Sequence, residues 1–374
     1  MRKLSGNILT PQGFVNGALT MAEDGRISGI SGQSVDVKTV REAGLPIILP
    51  GFVDLHVHGG GGCDIMDAGQ SCEKIARTHV QYGTTALLAT TMTAPYSDLH
   101  RAFTDMVPVV NKRQQNAARV LGVHLEGPYI NPGKLGAQPD FARPVEPDEL
   151  AQLHALAPIK LITMAPEVPG NNGRIAALVA AGFKIQIGHS SGTYEEGVAA
   201  MEEGADGFTH LFNAMSGLHH RRPGMVGCAL AHAHFAEIIP DLLHVHLGAI
   251  HVALRAIPHL FCVTDSTAAT GMPDGEYMLG RSKVTKCLGG VRLADGTLAG
   301  STLTMDQALR NMVDTIGLTL IDASKRVSTY AADYIGAHDR GRLVMGTFAD
   351  VVVLDQDLQL VDIYTEGVPL EHAN

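Results

Sequence analysis

From residue 72 to residue 264, segments of helical period alternate with apolar runs of strand length. No other feature limits the fold of this chain so strongly. Helical patterns at 72–82, 96–116, 146–155, 172–181, 194–203 and 246–257 are interleaved with apolar runs at 85–90, 119–125, 159–164, 184–187, 207–211, 238–239 and 260–264. Strand, helix and strand in that order build a right-handed βαβ unit and a parallel sheet. One further strand is read at 47–57, which brings the number to eight. A (β/α)8 barrel needs roughly 250 residues, and 51–339 provides them. Helical patterns at 305–316 and 321–334 complete the last part of that span.

The two ends read differently. Short alternating pieces at 3–9, 17–21, 26–30, 350–354 and 359–364 are punctuated by Gly, Asn and Asp, which is hairpin chemistry. The expected architecture is therefore α/β: a TIM-like barrel over 51–339, the catalytic domain, with a small β-sandwich domain built from both termini, 1–50 and 340–374.

Composition narrows the partners. A net charge of −10 without a basic cluster argues against nucleic acid, and the absence of Trp argues against a stacking platform for bases or long sugars. No apolar run reaches membrane-spanning length, and the N-terminal residues lack a signal core. Five scattered cysteines without a CxxC pair fit free thiols in a reducing compartment. A cytoplasmic protein is expected, with no membrane partner.

In a barrel of this kind the active site lies at the C-terminal ends of the strands. There the sequence places polar residues where packing residues would otherwise stand. The first strand ends in His56 and His58, which share a face because side chains at i and i+2 point the same way. Four glycines follow and are expected to leave open space beside the imidazoles. Other strands end in Glu126, His189, His210 and Asp265. Imidazole and carboxylate ligands in this mixture suit Zn²⁺ or Fe²⁺ and are too rich in nitrogen for Mg²⁺ or Ca²⁺. His124 shares a strand face with Glu126 and reads as its support from behind. His79 and the histidines of other helices and loops read mostly as solvated. Lys160, inside a strand, reads as structural.

The stretch Pro50-Gly-Phe-Val-Asp-Leu-His-Val-His58 and the C-terminal stretch 341–350 resemble the amidohydrolase superfamily. Within it, His124-Leu-Glu-Gly-Pro-Tyr129, Gly188-His-Ser190, Thr209-His-Leu-Phe-Asn-Ala-Met215, Arg222-Pro-Gly224 and Gly300-Ser-Thr-Leu-Thr304 resemble the N-acetylglucosamine-6-phosphate deacetylase family. The resemblance implies one or two divalent transition metals. Glu126, His189 and His210 match the ligands of the common metal, and His56 and His58 those of a second. Asp265 matches the catalytic acid/base. Ala137, Gln138, Asn213, Ala214, Arg221, Asp241, His244, Leu298, Ala299 and Gly300 match substrate-contacting positions. Arg221 matches a phosphate contact donated by the other subunit of a homodimer, with Arg222 adjacent. The implied reaction is hydrolysis of the N-acetyl group of N-acetylglucosamine 6-phosphate to glucosamine 6-phosphate and acetate; the galactosamine counterpart or another amidase of the superfamily is the alternative. Two positions depart from the family: Gln138 stands where many members carry His, and Leu242 where many carry Gly.

Overall fold

A computed structural model describes residues 2–371. Six parallel strands lie side by side in the order Phe52–Val57, Thr84–Thr91, Arg119–Glu126, Ile159–Met164, Lys184–Ile187 and Gly207–Phe208. A seventh, Phe235–Ile238, pairs in parallel with an eighth, His259–Cys262. Hydrogen bonds just past the paired strands bridge the two gaps. Leu211 donates its backbone N–H to the Glu237 carbonyl at 2.9 Å, and Asp265 donates its own to the His56 carbonyl at 2.9 Å. The Asp54 carboxylate reinforces the second seam by accepting from the Thr264 hydroxyl at 2.6 Å. The strands thereby close into a (β/α)8 barrel, and the last seam sets Asp265 beside the His-x-His pair.

Both ends of the chain build one seven-stranded sheet, with Val351–Leu354 and Ile47–Pro50 side by side near its centre. Alternation gives it two buried faces. Ile48, Val351 and Val353 face a small core with Ile8, Leu19 and Met21. Ile47, Leu49, Val352 and Leu354 face the barrel and join its core. The expected single strand at 47–57 is in fact two. Ile47–Pro50 belongs to the terminal sheet and Phe52–Val57 to the barrel. The chain passes between them at Gly51, where a Cβ would stand 2.2 Å from the Thr85 hydroxyl, so only glycine lets the two sheets approach.

Some patterns end differently from expectation. The sixth strand stops at Phe208, not 211, and the seventh starts at Phe235, three residues before the expected Ile238. The segment 341–346 forms bends, irregular backbone and a turn, without a strand. A three-stranded antiparallel sheet, Gly275–Leu279, Ser282–Cys287 and Gly290–Arg292, follows the eighth strand without a clear periodic signal.

Glu366, in the turn after Leu360–Thr365, fastens the terminal sheet to the barrel. It accepts from Arg119 Nε at 2.8 Å, Arg113 Nε at 3.1 Å and Arg340 Nη2 at 3.4 Å. Burial opposes its charge, but the three guanidinium groups outweigh burial and hold its carboxyl below the ordinary value. We predict that Glu366→Gln, which keeps the shape and removes the charge, costs about 1–2 kcal/mol at neutral pH by denaturant unfolding, the solvated rim limiting the loss. Because the folded pKa is depressed, this advantage of Glu over Gln is present above the unfolded value and shrinks as pH falls through the folded one. An advantage that grows toward acid contradicts the assignment.

Candidate metal centre

The strand-end side chains converge on one buried point. Glu126 Oε1 stands 3.1 Å from His189 Nε2 and 3.1 Å from His210 Nε2, and those two nitrogens are 3.0 Å apart. His56 Nε2 and His58 Nε2 are 3.1 Å apart. Glu126 Oε2 lies 3.0 Å from His58 Nε2, and Asp265 Oδ1 lies 3.4 Å from it. All six residues are buried. Among the described residues three groups are close enough to hold a metal ion: Glu126 with His189 and His210, His56 with His58 and Asp265, and His56 with His124 and Glu237.

The backbone aims these residues inward. His189, His210 and Asp265 have φ of 47°, 31° and 49°, the left-handed region that side-chain-bearing residues rarely enter. Each turns out of its strand and points its side chain across the barrel mouth, at a cost of about 1–3 kcal/mol apiece. The glycines after His58 serve a different purpose from the open space expected of them. The backbone of residues 267–268 packs against Gly59, where a Cβ would lie 2.4 Å from Ala268 N. His58 N and Gly59 N both donate to the Ser266 carbonyl, which locks the first strand to the Asp265 segment.

The donor set fits a divalent cation. His58 Nδ1 faces the Thr90 carbonyl at 3.2 Å, and His189 Nδ1 faces the Lys134 carbonyl at 2.7 Å. A carbonyl only accepts, so each Nδ1 carries the proton and each Nε2 presents a lone pair. Lone pairs and carboxylate oxygens about 3 Å apart repel unless a cation lies among them. Without one, protons take its place. Burial opposes charge on His56 and His58, but Glu126 and Asp265 outweigh it, holding His56 well above its ordinary value and His58 at about 9. Burial likewise opposes the charged form of Glu126, yet His56, with the hydrogen bonds from His189 and His210, keeps it well below the usual carboxylate range. Asp265 is also held low, burial being outweighed by His56 and His58.

The residues expected to touch a substrate divide into those the cavity gathers and those it does not. A cavity of about 390 Å³ opens over the cluster, walled by Ala137, Gln138, Asn213, Ala214, His244, Leu298 and Gly300. Gln138 donates from Nε2 to Glu126 Oε2 at 2.5 Å and accepts from Thr93 N at 2.7 Å. Asp241 is not on the wall; it accepts from His244 Nδ1 at 2.6 Å and so orients that ring. Ala299 is wholly buried. Arg221 lies outside the cavity on an exposed loop, its Nη1 against His220 Nε2 at 2.8 Å. Leu242, the departure from glycine, has φ of 65°, which explains why glycine suits that position.

Several supporting residues differ from expectation or escaped it. His124 stands behind the cluster as expected. Its nitrogens are taken by the Leu55 carbonyl at 3.1 Å and Thr163 Oγ1 at 2.7 Å, so it has no lone pair to spare for a metal. His79 is fully buried, not solvated, with Nε2 at 2.9 Å from the Gly59 carbonyl. Asp64 accepts from Gly280 N at 2.9 Å and ties the loop after His58 to the three-stranded insertion, whose Leu279 reaches the cavity wall. Glu237 touches His56 Nδ1 at 3.0 Å. Its signal was a lone charge within the apolar run 235–240, but the strand read there began one residue after it.

Comparison with known proteins agrees with this geometry. A model of the amidohydrolase family matches residues 47–371. The chain is 38% identical over 367 residues to an N-acetylgalactosamine-6-phosphate deacetylase of Escherichia coli O157:H7, covering 96% of each chain. It is also 38% identical over 347 residues to an N-acetylglucosamine-6-phosphate deacetylase of Lysinibacillus sphaericus, covering 90% of this chain and 89% of that one. The solved structure of a mutant N-acetyl-D-glucosamine-6-phosphate deacetylase from Mycobacterium smegmatis, in complex with N-acetyl-D-glucosamine-6-phosphate, superposes with a TM-score of 0.89 at 32% identity, covering 98% of both chains. The chain belongs to the amidohydrolase family, in the branch that holds the N-acetylglucosamine-6-phosphate deacetylases.

Proposed function

We propose that this protein hydrolyses the N-acetyl group of N-acetylglucosamine 6-phosphate, giving acetate and glucosamine 6-phosphate. The observation that carries the reading is the meeting of Glu126, His189 and His210 within 3.1 Å of one another beneath a cavity that Asp265 also lines. Its relatives in this branch act on phosphorylated amino sugars, as their names say. Glu126, His189 and His210 would hold one divalent transition metal, Zn²⁺ or Fe²⁺, and His56 and His58 would contribute to a second. When bound, such a metal supplies Lewis acidity that lowers the pKa of water and polarises an amide carbonyl.

The protein's own groups do the rest. Asp265, held ionised, accepts a proton from the attacking water at Oδ1 and returns it to the amide nitrogen as the C–N bond breaks. The amine leaves neutral together with acetic acid, whose remaining proton passes to the amine or to solvent, so that acetate departs as the anion. Gln138 uses one N–H on Glu126. An amide nitrogen carries two, so the second is free to donate to the acetyl carbonyl as negative charge builds on it. Asn213, Ala214, Leu298 and Gly300 shape the sugar pocket. His244 binds the 6-phosphate; burial opposes its charge, but Asp241 outweighs burial and raises its pKa. Arg221 is exposed and outside its own cavity, so it acts from a second copy in a homodimer, reaching the phosphate with a two-pronged hydrogen bond. All five cysteines are free, which fits work in the cytoplasm.

Acetate release from the 6-phosphates of N-acetylglucosamine and N-acetylgalactosamine tests the reading; no turnover of the glucosamine form contradicts it, and turnover of the galactosamine form alone reassigns the substrate. Asp265→Asn is expected to keep metal and lose on the order of a hundredfold or more in kcat, since general acid–base catalysis is typically worth 10²–10⁴-fold. A near-normal kcat assigns the proton transfer elsewhere. Arg221→Ala is expected to raise KM for the phosphorylated sugar about ten- to a hundredfold, the worth of a charge-assisted bond of roughly 1.5–3 kcal/mol, while leaving the rate on the unphosphorylated sugar unchanged. Equal losses on both sugars mean that Arg221 holds the fold or the dimer; Arg222→Ala is the paired control.

A further inference from the structure

Glu237 lies on the seventh barrel strand, between Ala236 and Ile238, and is wholly buried. It is absent from the cavity wall, so it does not reach a bound sugar. One of its oxygens serves two partners. Oε2 faces His56 Nδ1 at 3.0 Å and accepts from the backbone N–H of His210 at 3.1 Å. Its own carbonyl accepts from Leu211 N at 2.9 Å, which pins the same turn a second time. Oε1 has no hydrogen-bond partner among the described residues.

Packing alone does not call for a carboxylate here. Two hydrogen bonds to one oxygen could come equally from a glutamine carbonyl. What only the carboxylate brings is its charge and its lack of any donor. An ionised carboxylate accepts from whichever nitrogen faces it, so the proton of a neutral His56 must sit on Nδ1 and the lone pair on Nε2. Nε2 is the atom that stands 3.1 Å from His58 Nε2. The same oxygen holds the backbone of His210, whose φ of 31° needs an anchor. A histidine backed by a carboxylate is also a more basic ligand.

We propose that Glu237 is a positioning residue that sets both halves of the metal centre at once. It fixes the tautomer and ring of His56 in the His56–His58–Asp265 group. It also fixes the main chain at His210 in the Glu126–His189–His210 group. The inference rests on the metal-dependent reading of the site, though not on the identity of the sugar.

The test compares wild type with Glu237→Gln. Zinc affinity is measured by chelator competition, the visible spectrum of the Co²⁺-loaded proteins is recorded, and acetate release is followed across zinc concentration. Supporting partners of metal ligands are typically worth 10–100-fold in affinity, and a loss of that size is expected, with a changed Co²⁺ spectrum and activity that recovers as zinc is raised. Unchanged affinity and spectrum overturn the proposal. A purely structural role instead predicts a lower thermal midpoint of the metal-free protein with unchanged zinc affinity, and that result overturns it too. Should the variant not fold, ¹⁵N-histidine NMR of zinc-loaded wild type decides: His56 protonated at Nδ1 supports the proposal, and protonation at Nε2 overturns it. Wild type that binds zinc but releases no acetate defeats the functional reading and leaves the positioning role standing. Wild type that binds no zinc defeats both.

Discussion

The structure depends on how four imidazoles and three carboxylates can share one water-poor space. Glu126 Oε1 lies 3.1 Å from the Nε2 atoms of both His189 and His210, and His56 Nε2 faces His58 Nε2 at 3.1 Å. With the Nδ1 protons of His58 and His189 already committed to carbonyls, the inner nitrogens of these two neutral rings offer lone pairs. Glu126, Asp265 and Glu237 bring negative charge to the same place. Isolated charges are costly to bury, and the arrangement is stable only when positive charge sits inside it. Protons on His56 and His58 meet that demand in one way and divalent metal in another. The carboxylates beside those two imidazoles favour positive charge at this point.

The barrel makes this crowding possible. Parallel strands carry their ends to one rim, and each contributes a residue without needing a loop to reach across. The seams between strands do double duty. The bond from Asp265 N to the His56 carbonyl closes the barrel and also sets the Asp265 carboxylate against the His-x-His pair. Left-handed backbone at His189, His210 and Asp265 is strain held by that closed framework. Outside it, the terminal sheet covers the barrel and is fastened by Glu366 to arginines of the barrel. It sits beside the core and supplies none of the converging ligands.

Much of this was legible because each signal was local. Alternating periods announced the barrel, and polar residues at the ends of apolar strands announced His56, His58, Glu126, His189, His210 and Asp265. What escaped was set by packing between distant segments. Gly51 splits one apolar run into two strands because Thr85, more than thirty positions away, presses against it. Glu237 was missed because its strand pairs too briefly to give a period, and its meaning lies in His56 across the barrel. His79 looked like a surface helix residue, yet the chain around Gly59 and Ser266 encloses it. Arg221 carries the opposite lesson: its residue type and loop fit a phosphate contact, but a single chain keeps it away from its own cavity.

Anomalous X-ray diffraction from crystals of protein purified without chelator addresses the centre of this account. It predicts a transition-metal peak bounded by Glu126, His189 and His210, at about 2.0–2.1 Å from each coordinating imidazole nitrogen, with acetate release lost on chelation and restored by adding metal back. A site without a peak, in protein that still releases acetate at full rate after exhaustive chelation, would contradict it.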